Sequence, residues 1–480
     1  MRTDAVAAMV ADARELLGER AVSTDPERIA PWLTDWRGRF HGASAALFEP
    51  ANTAGVAGIV TLAARHGVAL VPQGGNTSMV GGATPPADGS AVIVSLRRMN
   101  RIRAVAGGQA VAESGVILQH LHDAAAQAGR RFPLTLGARG SATIGGLVST
   151  NAGGTQVLRW GTMRRLVLGV EAVLPDGSVH DGLAALPKDN RGYDLTQLLV
   201  GAEGTLGIVT AATLRLVPAI GARAVAWAGI ADPQAGLTLL RRMQAATDSI
   251  ESFEIIPADS LALAVAHLPG ARPPLAGPHP WHLLIEAVAG TGEASPDALL
   301  VRLLGDALAD GVVGDAVLAT SEAQAQAFWA LRDSLSAAEK AAGPAVQHDI
   351  SVPVDAMPRF MVETAAAAEA RFAGTHATAF GHLGDGNVHF HVRAPAGADP
   401  AHWYAQDAPV VTRFVHDAVV AAGGSISAEH GIGQMKLGEL ARTAPPARLA
   451  ALRAVKAGLD PRGLFNPGKL VPLAPAPPSK

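Results

Sequence analysis

The sequence lacks cysteine altogether: none occurs among its 480 residues. Disulfide bonds, thiolate metal ligands, iron–sulfur clusters and cysteine nucleophiles are therefore excluded. A bound metal ion would have to be held by histidine, by carboxylates or by other oxygen donors.

The sequence also lacks a strong excess of charge and a long apolar run. Its 39 basic and 42 acidic residues nearly balance, with a formal net charge of -3, which argues against binding to nucleic acid or to an anionic membrane. No apolar run reaches the about 18 residues that a membrane span needs. Residues 1–20 contain acidic residues within an amphipathic helical pattern, unlike a secretory signal. We therefore expect a soluble, cytoplasmic protein.

What is present indicates a large folded chain of several units. Hydrophobic residues make up 49% of the sequence and charged residues 17%, enough to bury a large core. The length predicts roughly two to four units. Because glycine clusters thin out after residue 218, we predict a cofactor domain at 1–218, an α+β substrate domain at 219–425 and a C-terminal segment at 426–480.

Three glycine-rich segments lie in the predicted cofactor domain. They read PQGGNTSMVGGATP at 72–85, GARGSATIGGLVSTNAGG at 137–154 and GAEGTLGIVT at 201–210. Such segments can expose backbone N–H groups that bind pyrophosphate without basic side chains. One segment alone is also typical of a structural turn. Together they favour one long phosphate-bearing cofactor, and they match neither the Rossmann nor the Walker pattern.

A cluster of histidines marks the later part of the chain. His382 and His389 flank a GDGN turn, and Glu429 directly precedes His430 in the segment SAEHGIG. Two imidazoles and a carboxylate could bind a divalent cation and leave positions open for a substrate. The alternative is that these are structural histidines. Asp385 is predicted to bond its own backbone in the turn and not to bind the metal.

A predicted helix carries one further candidate pair. Arg332 and Ser336 are four residues apart in FWALRDSLSAAEK and therefore share a helix face. The guanidinium suits bidentate binding of a carboxylate. The alternative is a surface arginine beside Asp333.

The motifs PQGGNTSMVGG, IGGLVSTNAGG, DNRGYDLTQLLVGAEGTLGIVT and NPGK resemble the FAD-binding segments of the vanillyl-alcohol oxidase/PCMH flavoprotein superfamily. The resemblance covers nearly the whole chain, and its nearest branch is that of the D-2-hydroxy-acid dehydrogenases, within it the D-2-hydroxyglutarate dehydrogenase group. It implies an α+β fold: a two-subdomain PCMH-type FAD-binding domain, an α+β substrate (cap) domain with an antiparallel sheet, and a C-terminal segment that returns to the flavin.

The resemblance also assigns the cofactor site. It implies FAD bound without a covalent link, because no histidine lies in residues 72–85 and cysteine is absent. The implied FAD-lining residues are Pro72, Gly74, Gly75, Asn76, Thr77, Gly81, Gly82, Gly137, Ser141, Gly145, Gly146, Thr150, Asn151, Gly153, Gly154, Glu203, Gly207, Ile208 and Asn466.

For the chemistry, the resemblance implies a divalent metal, zinc above all, on His382, His389 and Glu429, with His430 as the general base. A D-2-hydroxy acid would lose a hydride to flavin N5 and become a 2-oxo acid. D-2-Hydroxyglutarate, oxidised to 2-oxoglutarate, is the favoured substrate, and D-lactate or glycolate is the alternative. A mononuclear non-haem iron oxygenase and a non-catalytic FAD-binding protein are further hypotheses, but the first leaves the glycine segments unexplained.

The substrate contacts that the resemblance implies are Arg332, Ser336, Gln347 and His391. Two of them depart from the family pattern: Gln347 stands where a lysine is typical, and His391 stands where many relatives have asparagine. A missing cation weakens the case for a distal carboxylate on the substrate. The expected electron acceptor is an electron-transferring flavoprotein or a quinone. A homodimer is one expectation for assembly, and the sequence leaves the oligomeric state open.

Overall fold

The computed structural model of the chain describes residues 2–472, so the end of the predicted C-terminal segment, 473–480, lies outside the described residues. The strands are β1 (Val22–Ser23), β2 (Leu47–Phe48), β3 (Ala69–Gln73), β4 (Ala91–Ser95), β5 (Ile102–Ala106), β6 (Gln109–Glu113), β7 (Arg130–Arg131), β8 (Val167–Val173), β9 (Val179–Asp181), β10 (Ile208–Arg215), β11 (Val217–Pro218), β12 (Ala222–Ile230), β13 (Ile250–Pro257), β14 (Trp281–Ala289), β15 (Asp315–Leu318), β16 (Ala345–Ser351), β17 (His376–His382) and β18 (Asn387–Arg393).

The α-helices are α1 (Arg2–Leu17), α2 (Pro26–Ile29), α3 (Thr53–His66), α4 (Leu118–Gln127), α5 (Ile144–Thr150), α6 (Val157–Trp160), α7 (Met163–Leu166), α8 (Leu195–Leu199), α9 (Pro233–Ala246), α10 (Ala258–His267), α11 (Pro296–Ala309), α12 (Glu322–Ala341), α13 (Met357–Arg371), α14 (Pro400–His402), α15 (Ala408–Ala421), α16 (Leu437–Thr443) and α17 (Pro446–Leu459). Short 3₁₀ segments and one π-helical turn, Trp403–Asp407, connect some of them.

The chain divides into two compact units. Unit 1 comprises Met1–Gly153, Gly161–Pro218 and Glu429–Lys480, and unit 2 comprises Gly154–Trp160 and Ala219–Ala428. Residues 154–160 therefore belong to unit 2, although the sequence placed them in the cofactor domain. The cause is local: Trp160 donates to Glu251 and Ser252 donates to the Thr155 carbonyl, which ties this segment to β13.

Unit 1 contains two main sheets and a short strand pair. The first sheet has the order β1-β2-β4-β3, in which β4 pairs in parallel with β2 and β3. The second has the order β5-β6-β10-β8-β9 and is antiparallel. A hairpin turn at Gly177 joins β8 to β9, and that glycine takes the left-handed φ of 87° that the turn requires. β11 pairs with β7.

Unit 2 is built on one antiparallel sheet of seven strands in the order β15-β12-β14-β13-β17-β18-β16. Alternation along β17 and β18 sends Ala377, Ala379, Val388, Phe390 and Val392 to one face, where they join the main apolar core. The intervening residues of the same strands point to the opposite face, where the candidate site begins. No helix among residues 2–472 combines the length and the apolar character needed to cross a bilayer.

Candidate active site

The first two glycine segments of unit 1 pack directly against each other. A Cβ atom on Gly75 would lie 2.1 Å from the Ser141 carbonyl oxygen, and one on Gly74 would lie 2.1 Å from Oγ1 of Thr143. Gly145, in the second segment, would meet Ser114 in the same way at 2.6 Å. Glycine at these positions therefore permits a close approach that any side chain would prevent.

Beside these segments lies a cavity of about 590 Å³ within unit 1. Of the residues predicted to line FAD, all except Gly81, Asn151 and Gly154 lie on its wall. Glu429 and His430 line the same cavity. Sequence reasoning missed several wall residues that adjoin the motifs or lie beyond them, among them Trp36, Ser114, Leu136, Thr143, Ser149 and Val209.

The three predicted residues outside the wall have structural roles. Asn151 ends α5 in a left-handed conformation (φ 50°), and its Oδ1 accepts the Arg164 N–H at 2.9 Å. The Gly81 carbonyl accepts Nε2 of Gln434 at 2.9 Å. Gly154 belongs to unit 2.

The wall presents hydrogen-bonding groups that the protein itself does not satisfy. None of the backbone N–H groups from Gly75 to Met79 donates a hydrogen bond to the described part of the chain. Three buried oxygens of wall residues, Gln73 Oε1, Thr143 Oγ1 and Asn466 Oδ1, also have no partner within residues 2–472. Exposed amides bind phosphate and buried acceptors need donors, so the wall fits a ligand with a pyrophosphate and a polar ring system.

Three wall residues other than glycine hold a left-handed backbone: Asn76 (φ 54°), Glu203 (φ 50°) and Asn466 (φ 42°). Side-chain bonds compensate for this strain. Nδ2 of Asn76 donates to the Thr34 carbonyl at 2.9 Å, and Nδ2 of Asn466 donates to the Glu203 carbonyl at 2.7 Å and the Gly82 carbonyl at 2.9 Å. Strain concentrated in this way is typical of functional sites.

Glu203 anchors the segment that follows His430. Its carboxylate accepts the backbone N–H groups of Ile432 and Gly433, each at 2.8 Å. Burial raises the pKa of Glu203, although these two donors and the ammonium groups of Lys436 and Lys469 favour the charged form. A side chain on Gly431 would collide with the carboxylate at 2.6 Å. His430 is therefore attached to a rigidly held loop.

A buried lysine fixes the last part of unit 1. The Lys456 ammonium donates to Oδ2 of Asp460 at 2.5 Å, to the Thr205 carbonyl at 2.7 Å and to the Phe465 carbonyl at 2.9 Å. Asp460 in turn accepts the Phe465 N–H at 2.9 Å. This network holds the backbone directly before Asn466, and so places that side chain on the cavity wall.

In unit 2, strand register gathers polar side chains on one face of the sheet. His382 lies opposite Glu254, His389 lies opposite Asp349, and His391 lies opposite Gln347. Residues directly opposite in an antiparallel pair share a face. We call this set, completed by the neighbouring residues Thr378 and Asn387, the polar face of unit 2.

Glu254 is the centre of the polar face, and no sequence motif points to it. Its Oε1 accepts from Nδ1 of His382 at 2.5 Å, and its Oε2 accepts from Nε of Arg332 at 2.6 Å. The carboxylate is fully buried. Burial disfavours its charge, but Arg332 and His382 outweigh this and lower the pKa of Glu254. Burial likewise opposes charge on His382, and Glu254 raises the pKa of that imidazole to about 9.

Arg332 is not the surface arginine of the alternative reading. It is 8% exposed and lies over the Phe380 ring, with Cζ 5.5 Å from the ring centroid. Its terminal nitrogens form no hydrogen bond with the described residues, since only Nε is engaged. The guanidinium therefore keeps the N–H groups of both terminal nitrogens for a ligand. Ser336, its predicted partner, is exposed, and its carbonyl accepts Nε2 of Gln347 at 3.3 Å.

The two histidines predicted to bind metal do lie together in unit 2. The ring centroids of His382 and His389 are 5.5 Å apart. Burial, with the charges of Arg332 and His382, lowers the pKa of His389 well below its usual value, which keeps the ring neutral as metal binding requires. Asp385 accepts the Asn387 N–H at 2.9 Å, so its predicted backbone bond is confirmed.

Comparison with known proteins decides the family. Residues 221–470, more than half of the chain, match the family described as FAD linked oxidases, C-terminal domain, and residues 44–182 match that described as FAD binding domain. The chain belongs to the FAD-linked oxidases. It is accordingly an FAD-dependent oxidoreductase, as the motifs predicted.

Curated relatives of this FAD-linked oxidase include two named "D-2-hydroxyglutarate dehydrogenase, mitochondrial". The Arabidopsis thaliana protein is 36% identical and aligns over 96% of this chain and 80% of its own length. The Bos taurus protein is 37% identical over 94% of this chain and 81% of its own length. The predicted family resemblance is confirmed.

The solved structure of p-cresol methylhydroxylase with substrate bound matches at a TM-score of 0.73 and 16% identity, over 97% of this chain and 96% of that one. This likeness confirms the predicted PCMH-type FAD-binding fold.

The expectation of a cytoplasmic location is wrong, because the names of the Arabidopsis and Bos relatives are mitochondrial. The features behind that expectation, an acidic amphipathic start and no apolar run, do not distinguish between aqueous compartments.

Proposed function

We propose that this FAD-linked oxidase is a D-2-hydroxy-acid dehydrogenase, with D-2-hydroxyglutarate as its favoured substrate and 2-oxoglutarate as its product. The observation that carries the proposal is the position of His430, which lies on the wall of the cavity that most of the predicted FAD-lining residues also line. The names of the curated relatives support the choice of substrate.

In this proposal the residues of unit 1 bind FAD and supply the base. The unsatisfied amides of residues 75–79 hold the pyrophosphate, and the packed glycine segments exclude side chains that would fill its place. Bound FAD would supply the two-electron acceptor for the α-hydrogen, and a bound divalent cation would make the α-hydroxyl more acidic. His430 accepts the α-hydroxyl proton, so that a C=O bond forms as the C–H and O–H bonds break.

We further propose that His382, His389 and Glu429 hold the cation, with zinc as the first candidate. The donor set of two imidazoles and a carboxylate suits zinc. The short separation of the two imidazole rings supports this assignment.

Arg332 is proposed to bind a carboxylate of the substrate through its two terminal nitrogens, because Nε is already held by Glu254. Ser336, Gln347 and His391 are proposed to form the region that meets the distal group. Gln347 lies directly opposite His391 on paired strands.

A smaller hydroxy acid, D-lactate or glycolate, is the second candidate substrate. The observation that favours it is the neutral amide of Gln347, whose Nε2 already donates to the Ser336 carbonyl. A distal carboxylate would gain less from this amide than from a cation.

We also propose an electron-transferring flavoprotein or a quinone as the electron acceptor, and a homodimer as the assembly.

The decisive experiment is anaerobic reduction of the flavin by D- and L-2-hydroxy acids, with and without a chelator. Bleaching of the flavin by D-2-hydroxyglutarate, faster than by D-lactate or glycolate and lost after chelation, is the expected result. Purified protein without a yellow chromophore would instead favour the non-haem iron oxygenase. A yellow protein that no hydroxy acid reduces would favour a non-catalytic FAD-binding role.

The role of His430 is tested by His430→Asn, which removes the proton acceptor. We expect the rate of flavin reduction to fall by roughly 10²–10⁴-fold while FAD stays bound. His180→Asn, on β9 of the same unit and outside the cavity wall, is the matched control and should reduce normally. An unchanged rate in His430→Asn would remove this residue from the mechanism.

A further inference from the structure

Glu254 has no place in the mechanism so far, yet it connects two of its parts. One carboxylate oxygen bonds Nδ1 of His382, and the other bonds Nε of Arg332. A carboxylate oxygen of this kind only accepts hydrogen bonds, so Nδ1 must carry a proton. The coordinating nitrogen of His382 is then Nε2, and the ring orientation is fixed.

Glu254 is a buried charge flanked by apolar residues of its own strand. On β13 the neighbours Phe253, Ile255 and Ile256 are apolar and buried. A buried ion pair is weak evidence for a stabilising role, because an apolar replacement is often as stable. Removing one partner is costly, however, since the other charge is left buried. A buried carboxylate whose two hydrogen-bond partners are both proposed functional side chains therefore indicates a functional constraint.

We propose that Glu254 is a positioning residue that holds the metal-binding imidazole of His382 and the substrate-binding guanidinium of Arg332 in one fixed arrangement. The inference rests on the proposed function of those two residues. It goes beyond that function because it assigns cation affinity and substrate affinity to a single carboxylate that binds neither. Strand register places Glu254 opposite His382, and α12 brings Arg332 to the other oxygen.

The test is Glu254→Gln, which keeps the shape of the side chain but leaves one amide oxygen to serve two donors. Zn²⁺ is titrated into FAD-loaded, chelator-treated protein against a competing chromophoric chelator. We expect the Zn²⁺ affinity to fall by roughly 10–100-fold, as for other partners of metal-binding histidines. KM for D-2-hydroxyglutarate should rise at saturating Zn²⁺, and flavin content and its visible spectrum should stay unchanged.

Glu286→Gln is the matched control. Glu286 is also buried, lies on the neighbouring strand β14, and bonds an arginine and a residue of α12: Nη1 of Arg223 at 3.3 Å and Nε1 of Trp329 at 2.8 Å. Loss of the Glu286 carboxylate should lower the melting temperature of the protein without changing its Zn²⁺ affinity. If both variants bind Zn²⁺ as the wild type does, or both weaken it equally, the positioning role is refuted.

A second measurement needs no variant. In Zn²⁺-loaded wild-type protein, ¹⁵N chemical shifts should report His382 as protonated at Nδ1 and metal-bound at Nε2. The opposite tautomer would overturn the proposal even if Glu254→Gln fails to fold. The positioning role and the proposed function can also be rejected independently. If Glu254→Gln binds Zn²⁺ more weakly but the wild type turns over no hydroxy acid, the proposed function is rejected and the positioning role stands.

Discussion

The cavity of unit 1 is lined mainly by glycine and other small residues and by exposed backbone amides, whereas the polar face of unit 2 is made largely of charged and ionisable side chains. In unit 1 the binding groups are amides, whose positions follow from the path of the chain. In unit 2 they are side chains held by other side chains, as Glu254 holds His382 and Arg332. The first region should therefore be sensitive to added bulk, and the second to altered charge.

The largest effect should come from bulk in unit 1. Gly75→Ala places a Cβ 2.1 Å from the Ser141 carbonyl, so backbone must move. Overpacking costs about 1–3 kcal/mol or more, and we expect FAD affinity to fall at least hundredfold, measured by flavin retention on dialysis. Gly140→Ala, in the second segment with no atom within 4 Å of its Cβ, is the control and should retain FAD. Loss of FAD in both variants would show that bulk is not the cause.

A change in unit 1 that keeps the shape of the side chain but removes its carboxylate tests the exception to the comparison, Glu203. Glu203→Gln loses one of the two bonds to Ile432 and Gly433. An unsatisfied buried group costs about 1–3 kcal/mol, so amide hydrogen exchange in residues 431–436 should accelerate by roughly 10–100-fold, with a slower rate of flavin reduction. Glu113→Gln, equally buried and bonded to the Arg101 N–H, should leave that exchange unchanged. Equal exchange in wild type and Glu203→Gln would show that the loop is held by other contacts.

An added charge on the polar face should change specificity and not flavin binding. Gln347→Lys supplies a cation near the proposed distal group, and a charge-assisted bond is worth about 1.5–3 kcal/mol. Since Gln347 is only half-buried, we expect roughly a tenfold rise in the kcat/KM ratio of D-2-hydroxyglutarate to D-lactate. Gln326→Lys, on α12 and outside the polar face, should leave the ratio unchanged. A ratio that falls in Gln347→Lys would place the distal group elsewhere.

The smallest effect concerns the acid stability of unit 1, away from the cavity. Burial opposes the charge of Glu171, but bonds from Arg103, Thr53 and Thr210 prevail and lower its pKa from 4.5 to about 2. Its contribution to stability is therefore full above pH 4.5 and is lost as the pH falls towards 2. Near pH 3.5 the wild type should have lost on the order of 1 kcal/mol of the free energy of unfolding that ionised Glu171 contributes. Denaturant unfolding of Glu171→Gln should show a smaller decline between pH 7 and pH 3.5, and an identical decline would contradict the assignment.

The same contrast explains what could be predicted from the sequence. The glycine segments were recognisable because a site built from backbone groups is formed by consecutive residues of the sequence. Most of the residues predicted to line FAD do line the cavity. Glu254 was not recognisable, since its function depends on the register between β13 and β17, which joins residues 128 apart. An isolated glutamate in a strand carries no local signal.

Long-range contacts also account for the other differences. Glu203 was expected only to line the cofactor, and its bonds to residues 229 and 230 positions later could not be foreseen. Three residues that fit the motifs do not line the cavity. Gly81 and Asn151 lie in left-handed turns, and Gly154 belongs to unit 2. The alternative of a surface arginine beside Asp333 fails for Arg332, because its partner Glu254 lies far away in the sequence, on β13.

The Lys456 network has a consequence for how the protein matures. Asn466 completes the cavity wall, and it is held there by Lys456 and Asp460, all of them among the last residues of unit 1 that the structure describes. A ribosome synthesises the two glycine segments long before it reaches these residues. The dinucleotide cannot be fully enclosed before residue 466 has been synthesised, so a chain stalled before that residue would leave the cofactor loosely held.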